Sequence, residues 1–72
     1  MTMWYENGRK MAIIHFKNGK REGIYAQWYP SGRKQITSHY KNGKENGLKK
    51  EWDENGKLTF QGNFVDGNEA VE

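Results

Sequence analysis

Cysteine is absent from the 72 residues, so neither a disulfide framework nor a thiolate metal site holds this chain together. Proline occurs once, at Pro30, and the longest apolar run is the four residues Met11 to Ile14. Such a run is far too short for a membrane span or a signal-peptide core, so the chain as given is expected to be soluble, with the cytoplasm as its expected compartment. A leader removed from a precursor would lie outside this reading. Charge of one sign is also scarce: twelve Lys+Arg against nine Asp+Glu leave only +3, a mild bias that does not point to nucleic acid. At this size folding hides only about 60% of the unfolded chain's surface, so stability is expected to be marginal.

What is present is order. Trp4, Trp28 and Trp52 stand 24 residues apart, as do Gly8, Gly32 and Gly56, then Phe16, Tyr40 and Phe64, and Gly19, Gly43 and Gly67. No gap is needed to hold that register, which a disordered chain of similar apolar content would not keep. The units run 4–27 and 28–51 with a partial third at 52–67, and residues 68–72 form an acidic tail expected to fray.

Each unit carries two bends, the first at Asn7-Gly8, Ser31-Gly32 and Asn55-Gly56, the second at Asn18-Gly19, Asn42-Gly43 and Asp66-Gly67. Proline fixes φ near −65°, which suits the first central position of a type I turn with glycine two residues later in the left-handed region. Pro30-Ser31-Gly32 therefore predicts a three-residue loop, and Glu6-Asn7-Gly8 and Lys17-Asn18-Gly19 read the same way. Such loops pair Tyr5 with Arg9, Phe16 with Lys20 and Tyr29 with Arg33, so parity is kept and even-numbered residues share one face throughout. The expectation is all-β: a single antiparallel meander of about six strands built from 24-residue β-hairpin repeats, near 1–5, 9–16, 23–29, 33–40, 47–53 and 57–64. Its even face would hold Trp4, Trp28, Ile36 and Trp52 as core.

The stretch "WYENGRKMAIIHFKNGKREGIYAQ" resembles the MORN-type repeat (membrane occupation and recognition nexus), above all the bacterial variant found in YwqK-like antitoxins. Gly8, Gly19, Gly23, Tyr5 and Phe16 match its framework positions, as do Gly32, Gly43, Gly47, Tyr29 and Tyr40 in the second unit. Departures are Ile13-Ile14 and Thr37-Ser38, where the family has Glu-Gly; only Gly62 keeps the glycine. The resemblance implies a module that binds proteins or assembles with itself, with acidic lipid as another partner. No cofactor, metal or small-molecule substrate is implied.

Candidate sites divide by chemistry. His15 and His39 occupy equivalent positions two strands apart, roughly 9–10 Å, too far to share one metal ion. Ser31 in a turn and Ser38 on the apolar side lack a base, an orienting group and a cleft, so the chain reads as non-enzymatic. Odd positions in the first half are apolar as well: Met3, Tyr5, Met11, Ile13, Tyr25 and Tyr29 form the expected protein-contact patch. Arg9, Arg33 and Lys57 line one sheet margin and are the expected contacts for an anion or acidic lipid, although charged turns also serve solubility. The tryptophans could stack bases, but their place on the apolar face favours packing, which leaves nucleic acid a weak candidate.

Overall fold

Tyr5 N donates to Arg9 O and Tyr29 N to Arg33 O at 2.8 Å, and Asp53 N to Lys57 O at 2.9 Å, so all three first bends close as three-residue loops. Here Pro30 acts as expected, with Gly32 at φ 94°. The computed structural model describes residues 1–70 and contains only strands and turns within them. The strands are β1 (Thr2–Trp4), β2 (Lys10–Ile13), β3 (Phe16–Lys17), β4 (Lys20–Arg21), β5 (Gly23–Trp28), β6 (Lys34–Lys41), β7 (Lys44–Glu45), β8 (Gly47–Trp52), β9 (Leu58–Val65) and β10 (Asn68–Glu69). Antiparallel pairing runs β1-β2-β5-β6-β8-β9-β10, with β7 also on β6 and β3-β4 as a separate short ribbon. Seven passes of the chain thus make these ten strands, because β2/β3, β4/β5 and β7/β8 are each one pass interrupted; the seventh pass, β10, is the one beyond the expected six. Asn68 and Glu69, assigned from sequence to the acidic tail, pair with Val65 and Phe64. The remainder of that tail, residues 71 and 72, lies outside the described residues.

The second bends correct the expectation. Lys17 faces Lys20, Lys41 faces Lys44 and Val65 faces Asn68, so each loop has two residues, and Phe16 pairs with Arg21 instead of Lys20. Asn42 lies at φ 53° and Gly43 at 83°. Two successive positive φ values make a type I′ turn, whose twist matches that of the flanking strands, and Asn-Gly is its preferred sequence. Only the first bend contains the proline that argued otherwise.

The expectation that even positions share a face is also overturned. Trp28 faces Lys34 but Gln27 faces Ile36, which leaves Gln35 as an extra residue; Met11 and Thr59 are extra in the same way. One inserted residue exchanges the faces of everything beyond it. Trp28 and Ile36 consequently project from opposite sides. A second irregularity, of two residues, leaves parity alone: Thr37 faces Lys50 while Tyr40 faces Glu45, with Gly47 at φ 107° in the longer segment. A side chain at Gly47 would meet His39 Cβ at 3.5 Å and would be strained at that φ.

The bulges sort the molecule into two faces. Met3, Tyr5, Ala12, Ile14, Tyr25, Gln27, Tyr29, Ile36, Ser38, Tyr40, Phe60 and Phe64 share one, here the tyrosine face. Trp4, Ile13, Ile24, Ala26, Trp28, Leu48, Trp52, Leu58 and Val65 share the other, the tryptophan face. Between them the slab measures 37 × 31 × 10 Å, a single layer with no second layer among the described residues. Among the described residues, Ala12, Ile14, Ala26 and Ser38 are buried. Ile14, Ser38 and Gly62 are equivalent positions in the three units. A Cβ on Gly62 would meet Glu69 Oε2 at 3.0 Å and Phe60 Cζ at 3.1 Å, so in the last unit these side chains crowd that position.

Candidate interaction surface

The tyrosine face satisfies itself. Arg21 lies 5.4 Å from the ring centres of both Tyr25 and Tyr40, and these two rings meet edge to face at 6.0 Å. Lys49 pairs with Glu45 at 3.3 Å and Glu51 at 3.7 Å and sits 5.5 Å from the Phe64 ring. Tyr25 Oη donates to Gln27 Oε1 at 2.7 Å, and Gln27 Nε2 donates to Gln35 Oε1 at 3.1 Å. All three carboxylates at strand positions, Glu45, Glu51 and Glu69, lie on this side.

Across the sheet the balance reverses. By alternation along the strands, Lys10, Lys17, Lys20, Lys34, Lys41, Lys44 and Lys50 project from the tryptophan face, and no strand carboxylate does. None of these seven lysines has an ion pair among the described residues. Exposed apolar side chains lie among them: Trp4 at 56%, Ile24 at 55%, Val65 at 57% and Leu58 at 44%. Core packing, the sequence expectation for the tryptophans, does not hold for Trp4, and Trp28 and Trp52 are only half-buried. A shallow recess of about 420 Å³ is lined by Trp4, Gly8, Arg9, Lys10, Trp28 and Gly32. A second, of about 290 Å³, repeats it one unit later with Arg33, Lys34, Trp52 and Gly56.

Residues singled out from sequence are distributed differently. Met3, Tyr5, Tyr25 and Tyr29 come together on the tyrosine face, Ile13 projects from the opposite one, and Met11 is the first bulge residue. Tyr5 Oη donates to Trp28 O at 2.7 Å and Tyr29 Oη to Trp52 O at 2.9 Å, so both phenols tie one unit to the next. Arg9 donates to Ser31 O and Arg33 to Asn55 O across the same margin. Lys57, third of that row, has no following unit to reach among the described residues. Lys17, Lys20, Lys41 and Lys44 are recognisable in the sequence as a basic row flanking the second bends, but Lys10 and Lys34 were missed because they precede the bulges, and Lys50 was grouped with core positions. His39 Nδ1 lies 3.1 Å from Leu48 O and the ring packs over Gly47. Among the described residues, no three His, Asp or Glu side chains cluster as metal ligands.

The Tyr29 phenol titrates above the ordinary tyrosine range. Burial of its phenol raises the pKa, and the nearby carboxylates of Glu54, Asp53 and Glu51 raise it further. A raised phenol favours the neutral form in the fold, so its contribution is complete below the unfolded-state pKa and lost as pH climbs through the folded one. Urea midpoints are therefore expected to fall on the alkaline side of the ordinary tyrosine range, and Tyr29→Phe to flatten that fall.

A family model described as a MORN repeat variant matches residues 1–18, 21–42 and 45–66. The chain belongs to the MORN repeat variant family. No curated protein and no solved structure matches it. MORN repeats are generally associated with protein or membrane-lipid interaction, and the breaks between the matched segments fall at or beside the second bends and the segments that follow them. No helix among the described residues is long and apolar enough to cross a membrane.

Proposed function

We propose that this MORN protein is a non-enzymatic interaction module that lays its tryptophan face on an anionic membrane surface. The observation carrying this reading is the segregation of charge: among the described residues, seven lysines without an ion pair and the exposed apolar side chains share one flat face, while every strand carboxylate lies on the other. A bilayer interface accepts tryptophan rings and aliphatic side chains at headgroup level, and each nearby lysine adds about 1 kcal/mol against anionic lipid. Face-to-face self-association through this side would set lysine against lysine. The basic margin assigned from sequence is revised accordingly, since Arg9 and Arg33 already hold the neighbouring turns.

Co-sedimentation with phosphatidylcholine vesicles, with and without phosphatidylserine, tests the reading. Binding is expected only with the anionic lipid, with a blue shift of tryptophan emission, and is expected to weaken steeply as salt rises. Equal partitioning onto both vesicle types at low salt would overturn it. An antitoxin-like role is the protein-binding counterpart, in which an acidic protein surface covers the same face. That reading would be favoured by failure on vesicles together with saturable, salt-sensitive binding to such a protein.

A further inference from the structure

Both faces of the layer are open, but their polar groups differ in what it costs to cover them. On the tyrosine face the phenols of Tyr5, Tyr25 and Tyr29 already donate within the chain, at 2.7, 2.7 and 2.9 Å. Arg21 lies against two rings, Lys49 holds Glu45 and Glu51, and half-buried Ile36, Phe60 and Phe64 fill the space around them. A dry partner can cover such a face and leave few donors without an acceptor. The seven lysines of the tryptophan face, without an ion pair among the described residues, make that side costly to bury in the same way.

Extent and charge say what fits there. The 37 × 31 Å outline gives each face about 1,100 Å², above the ~800 Å² that each partner contributes to a standard interface. Charge on the tyrosine face is divided along the strand order. In β1 to β5 the charged side chain on this face is Arg21, which has no ion pair among the described residues; in β7 to β10 stand Glu45, Glu51 and Glu69, with Lys49 against them. One half of the face is therefore positive and the other negative.

We infer that the tyrosine face is a self-complementary interface, covered by a second copy of this chain about a two-fold axis parallel to the strands. Such an axis reverses the strand order between the two layers, so Arg21 of each copy lies over the carboxylate-bearing half of the other. An axis across the strands would instead set carboxylate over carboxylate. The sheets would stand about 10 Å apart, as stacked sheets do, and their aromatic side chains would form the core that one layer lacks. The contact is isologous and closes at two, with a tryptophan face outward on each side. Association stands apart from the membrane reading, but one consequence rests on it: a dimer with two basic tryptophan faces would bridge two anionic bilayers.

With phosphatidylserine vesicles the unaltered protein is expected to raise light scattering by clustering them, whereas Arg21→Glu should bind without clustering. Sedimentation in the absence of lipid tests the interface itself, so a dimer that ignores vesicles would remove the membrane reading and leave the interface standing. The mass is expected to rise from 8.5 kDa to twice that value with concentration; 8.5 kDa at every soluble concentration would overturn the inference. Arg21→Glu and Glu51→Arg are each expected to weaken dimerisation roughly tenfold or more, by setting like charges across the two-fold axis. Mixed in equal amounts they should associate nearly as the unaltered protein does, because each altered side chain then meets its opposite, and that recovery also shows both to be folded. Should Glu51→Arg not fold, Glu69→Arg at an exposed position takes its place. Lys34→Glu on the tryptophan face is the control and should dimerise normally. Equal weakening by the control, or no recovery when folded variants are mixed, would overturn the inference.

Discussion

Ile14→Ala is expected to leave much of the protein unfolded at room temperature. Among the described residues Ile14 is the only large side chain that is buried, 5% exposed, with Ala12, Ala26 and Ser38 as the others. Its backbone also anchors the first residue, donating to Met1 O at 2.8 Å and accepting from the Met1 ammonium at 2.5 Å. Truncating a buried isoleucine costs about 2–5 kcal/mol, while a single small core supplies about 3–5 kcal/mol in total. The urea midpoint should drop to near zero denaturant, followed by circular dichroism and tryptophan emission. Ile24→Ala is the comparison: at 55% exposed on the tryptophan face, it should leave the midpoint nearly unchanged. Equal losses from the two substitutions would show that burial is not divided as described.

Reversing three lysines of the tryptophan face, Lys10→Glu, Lys34→Glu and Lys41→Glu together, is expected to abolish binding to phosphatidylserine vesicles. All three are exposed and lack ion pairs among the described residues, so the fold should tolerate the change. Neutralising them would remove about 3 kcal/mol, somewhat over a hundredfold in affinity, and reversal adds repulsion to that loss. Lys49→Gln on the tyrosine face removes one positive charge too, yet should leave vesicle binding intact while lowering stability through the lost contacts with Glu45 and Glu51. If both variants weaken binding only in proportion to net charge, the face is not the determinant.

The repeat length, the all-β meander and the three-residue first loops were legible in the sequence, because Gly and Pro spacing reports directly on backbone conformation. The assignment of faces was not. It failed at Met11, Gln35 and Thr59, where one extra residue per unit exchanges the sides. A signal was available in the framework aromatics: Tyr5 and Phe16, or Tyr29 and Tyr40, have opposite parity within one unit, so a shared face requires an odd slip between them. The type I′ bends were equally readable. Lys-Asn-Gly-Lys is symmetrical about its two central residues, whereas Pro30 constrains only the loop in which it stands. The ties between units, by contrast, depend on where phenols and guanidinium groups end up across a margin, which pattern alone does not specify.

The 10 Å thickness of the slab also governs how the protein responds to temperature. Heat capacity of unfolding follows the nonpolar area newly hydrated, and a single layer with four buried residues among those described hydrates little that was not wet already. Its value per residue should fall below the usual ~12–15 cal/mol/K, which broadens the stability curve. The molecule would then have a low maximum of stability but one that changes little between a cold and a warm environment.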